Sequence, residues 1–371
     1  MTQEIMLKKQ SNFELNVSGK VIQINRPEPI LDVDVLAYKK RMDPMDAVDA
    51  LVEGDYVLIV DYFSSGLSVL NALKAYLKEQ YKDQTFQDQR DFRAKYRELS
   101  HRLVLLVSNN KLTVRKSPEI GWLKSLYPDM PEFLLPFPQV QGLNSSWQWH
   151  EKGLFIPVLG RKIRPFFGTY FPTRFEHLIL FDNWLKRYEG EKKSAIDIGI
   201  GSGVLSLQML KHGFKKVIGT DSNPNAIVGI HEELKRSRLD SKVALMHGDL
   251  FADSNEESEL IVFNPPWLPA SHNLEGIDQA IYYDEELFPR FFAEAIKHLK
   301  PGGRIALLFS NLGEITGAGE DHPIKKELAE GKRFKEELFI YKTVKAASTK
   351  TQRDQKWRNK EKVELWILKK N

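Results

Sequence analysis

The sequence has no cysteine, so disulfide bonds, thiolate nucleophiles and cysteine-based zinc sites are excluded. It also lacks a run of about 18 consecutive apolar residues, so no membrane-spanning helix is predicted. The beginning of the chain has no basic segment followed by an apolar run, and we therefore expect a cytoplasmic protein with no membrane partner. The excess of one charge sign is small, a formal net charge of +4, and does not by itself indicate a partner.

The chain is long enough for two domains. It has 371 residues, of which 42% are hydrophobic, and single domains usually have about 100–200 residues. We predict an auxiliary N-terminal α/β domain over residues 1–146 and a second domain over residues 147–371. The second domain would begin with a hairpin lead-in over residues 147–170.

Several local signals divide the first domain. Asp43 and Pro44 suit the cap and first position of a helix. Apolar runs at 56–60 and 103–107 predict strands, and helical patterns follow from 67 to 81 and from 83 to 102. Ser64-Ser65-Gly66 is interpreted as a turn, with a phosphate cradle as the alternative. The prolines, glycine and asparagine between residues 128 and 146 predict a linker.

The second domain alternates between apolar strand patterns and amphipathic helix patterns. After the hairpin around Leu159-Gly160-Arg161 and a helix near residues 173–188, the predicted strands are 194–198, 216–220, 242–246, 259–263, 303–309, 335–346 and 363–368. The predicted helices among them are 203–212, 224–237, 285–299 and 323–330. This alternation predicts a parallel sheet with helices on both faces.

A glycine-rich segment, Asp197-Ile198-Gly199-Ile200-Gly201-Ser202-Gly203, directly follows the first of these strands. Glycines at such a position let the backbone turn tightly and approach a ligand at a helix amino terminus. A dinucleotide loop would place its third glycine at Val204. The observed spacing therefore fits an S-adenosylmethionine loop better than the loop of a nicotinamide oxidoreductase.

Two acidic residues follow the next two strands. Asp221 could accept hydrogen bonds from both ribose hydroxyl groups, or it could cap the helix that begins near Pro224. Asp249, followed by Leu250, could accept a hydrogen bond from an adenine amino group, or it could belong to a plain turn.

The segment Asn264-Pro265-Pro266-Trp267 follows the fourth strand. The prolines fix the backbone and remove two N–H donors, which leaves the carbonyl oxygens of Asn264 and Pro265 as acceptors. These can hold an amino group, while Trp267 offers a flat surface for a planar substrate. No His or Cys accompanies the motif at fixed spacing, and His272 is interpreted as a solvated loop residue.

All four segments lie at the carboxyl ends of successive predicted strands, where ligands bind in open α/β sheets. In this respect residues 150–371 resemble a class I S-adenosylmethionine-dependent methyltransferase with an Asn-Pro-Pro-aromatic motif. That group includes release-factor glutamine methyltransferases, ribosomal RNA guanine methyltransferases and adenine amino methyltransferases.

The resemblance implies an α/β, Rossmann-like domain with a seven-stranded, mostly parallel sheet whose last strand is antiparallel. It implies S-adenosyl-L-methionine as cofactor and no resident metal. The implied catalytic residues are Asn264, Pro265, Pro266 and Trp267. The implied cofactor-binding residues are Asp197, Gly199, Gly201, Gly203, Asp221, Asp249, Leu250, Asn264 and Pro172.

The expected acceptor is a macromolecule, and two classes stay open. The hairpin and the segment around Pro172 are similar to the glutamine-modifying branch, but residues 281–285 lack the paired glycines usual there. Residues 341–371 contain ten Lys or Arg and three Asp or Glu. Basic residues around Trp357 suit a phosphate backbone and a stacked base, which slightly favours RNA. A non-catalytic S-adenosylmethionine-binding module is the further alternative.

Overall fold

The structure, a computed structural model, describes residues 15–17, 20–81, 86–270, 281–317, 321–344 and 360–371. Its described residues form two compact units. The first contains residues 24–151, and the second contains residues 152–371 together with the strands Leu15–Val17 (β1) and Lys20–Ile22 (β2). The boundary between the units lies after residue 151 and not after residue 146 as predicted, because the helix Phe137–Lys152 runs through residue 146. The strands β1 and β2 also belong to the second unit.

The first unit is an α/β unit. Its strands are Val35–Tyr38 (β3), Tyr56–Ile59 (β4), Leu103–Ser108 (β5), Lys111–Leu112 (β6) and Glu132–Pro136 (β7). Its helices are Pro44–Glu53 (α1), Phe63–Gln80 (α2), Phe86–Ser100 (α3), Trp122–Leu126 (α4) and Phe137–Lys152 (α5). The predicted helix start is confirmed: Asp43 caps α1 by accepting a hydrogen bond from the Met45 N–H at 2.9 Å.

Two predictions for this unit are wrong. The proposed linker contains β7, which pairs with β5 in the sheet, and the start of α5. Ser64-Ser65-Gly66 lies in the first turn of α2 and is therefore not a separate turn. A Cβ atom on Gly66 would lie 2.2 Å from the Phe137 ring, so glycine is needed there for close packing.

The second unit alternates between strands and helices as predicted, with small shifts at the element ends. Its remaining strands are Leu154–Ile156 (β8), Arg161–Ile163 (β9), Ser194–Ile198 (β10), Lys216–Asp221 (β11), Val243–His247 (β12), Ser258–Phe263 (β13), Leu268–Pro269 (β14), Tyr282–Tyr283 (β15), Leu299–Ser310 (β16), Phe334–Thr343 (β17) and Lys362–Lys370 (β18). Its helices are Glu176–Leu185 (α6), Val204–Lys211 (α7), Pro224–Ser237 (α8), Leu287–His298 (α9), Leu312–Thr316 (α10) and Pro323–Lys326 (α11). A 3₁₀ turn lies at Asp240–Lys242 and a π turn at Glu327–Gly331.

The main sheet has seven strands in the order β12-β11-β10-β13-β16-β18-β17. The first five strands are parallel, and β18 is antiparallel to both of its neighbours. The carboxyl ends of β10, β11, β12 and β13 therefore meet at one edge, which is where the four predicted segments follow. The α/β class is confirmed.

The sheet of the first unit repeats the central part of this arrangement. In it β3, β4 and β5 are parallel and β7 is antiparallel beside β5. In the second unit β10, β13 and β16 are parallel and β18 is antiparallel beside β16. The two units thus share a four-strand order, although the chain connects the strands differently.

A cluster of buried aromatic side chains supports the strand behind the proline motif. Phe288, Phe291 and Phe292 of α9 pack against the sheet, and the rings of Phe291 and Phe263 are 4.8 Å apart. The burial of these rings fixes the end of β13, and with it the position of residues 264–267.

Among the described helices, none combines the length and the apolarity that a bilayer crossing requires.

Candidate active site

A cavity of about 1050 Å³ opens in the second unit at the carboxyl ends of the parallel strands. Parts of all four predicted segments line it. From the predicted residues, the wall contains Gly199, Gly201, Asp221, Asp249, Leu250, Asn264, Pro265, Pro266 and Trp267. The fold therefore brings together segments that are separated by up to about 65 residues in the sequence.

The glycine-rich segment forms the turn between β10 and α7. Gly199, Gly201 and Gly203 have φ values of 65°, 50° and 75°, a region that residues with a Cβ atom rarely adopt. A Cβ atom on Gly203 would lie 2.0 Å from Ile230, so this glycine permits close approach to α8 and does not lie on the cavity wall. The first two glycines do lie on the wall.

Asp221 joins the ends of β10 and β11. Its Oδ2 atom accepts a hydrogen bond from the Gly201 N–H, and its Oδ1 atom accepts one from the Asn223 N–H, both at 2.8 Å. Burial raises the pKa of the Asp221 carboxyl, and the two N–H bonds oppose that rise. Each oxygen retains acceptor capacity, so Asp221 can still bind hydroxyl groups in the cavity.

Asp197 and Pro172 are not on the wall. Asp197 is 0% exposed and accepts a hydrogen bond from the Ser206 hydroxyl at 2.6 Å. Burial raises the pKa of Asp197 to about 7. Pro172 is also buried, while its neighbours Tyr170 and Thr173 line the cavity. The structure thus places both predicted cofactor residues behind the surface that a ligand would touch.

Asp249 has a partner that the sequence did not predict. Its carboxylate forms an ion pair with Arg290 of α9, and both residues line the cavity. The next residue, Leu250, has a φ of 43°, and its carbonyl oxygen accepts a hydrogen bond from the Thr220 hydroxyl at 2.5 Å. This turn presents Asp249 toward the same wall as Asp221.

The Asn264–Trp267 segment has an internal hydrogen bond. The Trp267 Nε1–H donates to the Asn264 Oδ1 atom at 3.2 Å. The sequence predicted only a stacking surface for Trp267, so this polar role was missed. The bond orients the Asn264 amide and leaves a second lone pair on Oδ1 for another donor.

A short two-stranded bridge extends the wall beyond the motif. β14 pairs with β15 in parallel, through hydrogen bonds from the Leu268 N–H to the Ile281 oxygen at 3.2 Å and from the Ala270 N–H to the Tyr283 oxygen at 2.8 Å. The bridge adds Tyr282 and Tyr283 to the cavity lining. Residues 271–280, including His272, lie outside the described residues. The wall around Trp267 is therefore rich in aromatic side chains.

The connection between β17 and β18 contains the basic residues around Trp357 and is called the basic segment here. The base of this segment also reaches the cavity. Arg174 forms an ion pair with Glu361 at 2.8 Å, the Glu361 side chain is 3% exposed, and both residues line the cavity. The Val344 N–H donates to the main-chain carbonyl oxygen of Glu361 at 3.0 Å, which closes the base of the connection between β17 and β18. Lys350, Arg353, Lys356, Trp357 and Arg358 lie outside the described part of the chain.

Comparisons with known proteins show what the second unit is similar to. Residues 179–316 match the family described as "Methyltransferase small domain". The chain is 29% identical over 198 residues to a protein of Methanocaldococcus jannaschii provisionally described as a protein N5-glutamine methyltransferase, and the match covers 50% of this chain and 97% of that protein.

Two further relatives match over shorter regions. A ribosomal RNA small subunit methyltransferase C of Alcanivorax borkumensis is 32% identical, over 32% of this chain and 33% of that protein. A release factor glutamine methyltransferase of Caulobacter vibrioides is 30% identical, over 35% of this chain and 50% of that protein. The chain thus spans nearly all of the first relative but a third to a half of these two.

The family match and these relatives together define the class of the protein. It is an S-adenosylmethionine-dependent methyltransferase. The similarities support a place among the class I enzymes, and the family and fold imply S-adenosylmethionine as the cofactor. The relatives are methyltransferases of protein or RNA, which agrees with a macromolecular acceptor.

Proposed function

We propose that this enzyme methylates a planar nitrogen held by Asn264 and Pro265, and that this nitrogen is a base amino group in RNA. The observation that carries the proposal is the position of the Asn264–Trp267 segment on the wall of the same cavity as Gly199, Gly201 and Asp221. One cavity thus combines a site that suits the cofactor with acceptors that suit an amino group.

The residues of the cavity fit the cofactor. Positive φ values at Gly199 and Gly201 leave the backbone free of side chains where a ligand would approach. Asp221 would bind the ribose hydroxyl groups and Asp249 the adenine amino group, since both carboxylates lie on the wall. When bound, S-adenosylmethionine supplies an electrophilic methyl group.

The motif residues orient and polarise the acceptor. The free lone pair of Asn264 Oδ1 and the Pro265 carbonyl oxygen would accept the two hydrogens of the amino group. These bonds would direct the nitrogen lone pair toward the methyl group and stabilise the positive charge that develops on nitrogen. A strong general base is unnecessary, because the alkylated nitrogen is acidic and can lose its proton later.

Two features support RNA as the acceptor. Trp267, Tyr282 and Tyr283 line the cavity, and aromatic walls suit a flat base. The basic segment also leaves β17 and enters β18 at the edge where the cavity opens, because Glu361 and Val363 line the cavity. Lys and Arg at that position would contact phosphate groups of an incoming RNA.

The first unit would present the acceptor and take no part in the chemistry. Some ribosomal RNA methyltransferases of the group that this chain resembles carry a duplicated copy of the catalytic fold. The four-strand order that the first unit shares with the second agrees with such a copy. After β4, where the motif would stand, the chain has Val60-Asp61-Tyr62-Phe63, which contains neither asparagine nor proline. The acceptors that the proposal assigns to Asn264 and Pro265 therefore have no counterpart at that position.

The second candidate acceptor is a protein glutamine. One observation favours it: the provisionally described N5-glutamine methyltransferase is matched over 97% of its length. A glutamine amide is also a planar nitrogen that Asn264 and Pro265 could hold in the same way.

The test uses the full-length protein with tritiated S-adenosylmethionine and total cell extract, followed by digestion with ribonuclease or protease. We expect the label to be released by ribonuclease and to survive protease, and to be absent with the Asn264→Ala protein. Release by protease alone would replace RNA by a protein acceptor. No macromolecular label in either digest would contradict the proposed function as a whole.

A further inference from the structure

A histidine that the sequence did not single out lies against the proline motif. His177 is in the first turn of α6 and lines the cavity, although the residue is only 5% exposed. Its ring centroid is 5.7 Å from that of Trp267, and the two rings are nearly perpendicular, at 88°. This is the edge-to-face arrangement that aromatic pairs favour.

The imidazole is held without a hydrogen bond at one nitrogen. Among the described residues, no group pairs with the buried His177 Nδ1 atom. Burial lowers the pKa of His177 to about 4, and the nearby Glu176 carboxylate opposes that change only in part. The ring is therefore uncharged near neutral pH. An unpaired buried nitrogen destabilises a fold, and the imidazole is therefore not there for stability alone. The structure shows a ring contact between His177 and Trp267.

The contacts form a chain toward the reacting position. The His177 ring packs on the Trp267 ring, and the Trp267 indole N–H donates to Asn264 Oδ1 at 3.2 Å. A tilt of the indole would lengthen this hydrogen bond and release the Asn264 amide. The orientation of the amide thus depends on a helix, α6, that is remote from the motif in sequence.

We infer that His177 is a positioning residue for methyl transfer, which fixes the plane of Trp267 and through it the side-chain amide of Asn264. The inference rests on the proposed role of Asn264, but it does not depend on whether the acceptor is RNA or protein. His177 touches neither the acceptor nor the cofactor in this proposal, and its effect passes through Trp267.

The first experiment observes the indole N–H directly. The full chain is labelled with ¹⁵N-tryptophan, and the Trp267 indole signal is identified by its loss in Trp267→Phe. In His177→Ala we expect this signal to shift and its N–H to exchange with solvent at least about tenfold faster, as expected for a broken hydrogen bond. His177→Phe, which retains a ring, should keep the wild-type signal.

The matched control is His231→Ala, the same substitution at a partly exposed residue of α8 that does not line the cavity. It should leave the Trp267 signal unchanged. An unchanged Trp267 signal in a folded His177→Ala protein would overturn the inference. This readout needs no acceptor, so its outcome is separate from that of the digestion experiment.

The second experiment compares kcat in single and double variants. We expect His177→Ala to lower kcat at least about fivefold with the affinity for S-adenosylmethionine nearly unchanged. In a Trp267→Phe background the same change should lower kcat less than about twofold, because the coupled bond is already absent. If the two substitutions lower kcat by independent factors that simply multiply in the double variant, the inference is overturned. A loss of affinity for S-adenosylmethionine that parallels the loss of kcat would also overturn it.

Discussion

The Trp267 indole nitrogen lies 3.2 Å from the Asn264 side-chain oxygen and donates a hydrogen bond to it. Two residues of one motif are thereby joined, three positions apart, across two prolines that fix the backbone between them. The indole thus has a polar contact as well as its flat surface. Substitutions that separate these two properties can measure each of them.

Trp267→Phe keeps a flat ring but removes the hydrogen bond to Asn264. Since a typical hydrogen bond contributes about 0.5–1.5 kcal/mol, we expect kcat to fall roughly two- to tenfold, with unchanged affinity for S-adenosylmethionine. Trp184→Phe, in α6 and off the cavity wall, is the control for replacing a tryptophan. If the Trp267→Phe enzyme has wild-type kcat, the hydrogen bond to Asn264 is not needed for methyl transfer and the indole acts only as a stacking surface.

Asn264→Ala removes an acceptor that would hold the amino group. The loss should appear in turnover, because the interaction is strongest when charge develops on nitrogen. We expect kcat to fall on the order of a hundredfold, as for loss of a preorganised polar group. The dissociation constant of S-adenosylmethionine, measured by calorimetry, should change by less than about threefold. Equal turnover of variant and wild type would remove Asn264 from the mechanism.

Asp221→Ala removes the carboxylate assigned to the ribose hydroxyl groups. We expect binding of S-adenosylmethionine to weaken by roughly 1–3 kcal/mol, the cost of leaving buried polar groups unpaired. The variant also loses the bonds from Gly201 and Asn223, so thermal unfolding is recorded beside the calorimetry. Asp240→Ala, on an exposed turn, is the control. Wild-type affinity in a folded Asp221→Ala protein would exclude Asp221 from the cofactor site.

Asp197 should make stability depend on pH. Its pKa of about 7 in the fold is above the ordinary value of 3.8, so the folded state binds more protons between these values. The free energy of unfolding therefore falls as pH rises from about 4 to about 7, by up to about 4 kcal/mol. Asp197→Asn should lose this dependence and be more stable than wild type at pH 8.

Urea unfolding at pH 5.5 and pH 8 measures this effect, with Asp240→Asn as the control on the surface. Because Asp197 is off the cavity wall, Asp197→Asn should also keep its affinity for S-adenosylmethionine. A large loss of affinity would restore the sequence-based assignment of Asp197 to direct cofactor contact. Identical pH profiles for wild type and Asp197→Asn would contradict the raised pKa.

The basic segment should govern RNA binding if RNA is the acceptor. Replacing Lys356, Arg358 and Lys360 together by alanine should weaken binding and flatten its salt dependence by up to about three charges. Replacing Lys193, Lys215 and Lys216, which lie at the amino ends of β10 and β11, makes the same charge change away from the cavity. If the rate of methyl transfer changes neither in the Lys356, Arg358 and Lys360 triple variant nor with added salt, a protein acceptor is favoured.

Local chemistry made some parts of the molecule predictable. The helix α8 begins at Pro224, as predicted, but its cap is Asn223, whose side chain accepts a hydrogen bond from the Asn225 N–H at 3.0 Å, and not Asp221, the cap that the sequence suggested as an alternative. The four segments predicted to bind ligands follow strands, and parallel strands align their carboxyl ends. Short-range signals of this kind depend on neighbouring residues and can be read from the sequence.

Several of the missed features depend on distant partners. Prolines near residue 136 suggested a linker, but a proline is tolerated at a strand end and in the first turn of a helix. Arg174 and Glu361 are 187 positions apart, and nothing local in either residue indicates the other. His177 resembles any buried histidine until the fold places Trp267 against it.

The strand order of the second unit has a consequence for the nascent chain. β17 is made before β18, yet in the described sheet both β16 and β17 pair with β18. Until Lys362–Lys370 has been synthesised, the sheet therefore has an open edge on β16, and β17 has no strand beside it. Insertion of β18 closes that gap and brings Glu361 to Arg174. The wall of the cavity is thus completed late, after the glycine loop and the proline motif have been made.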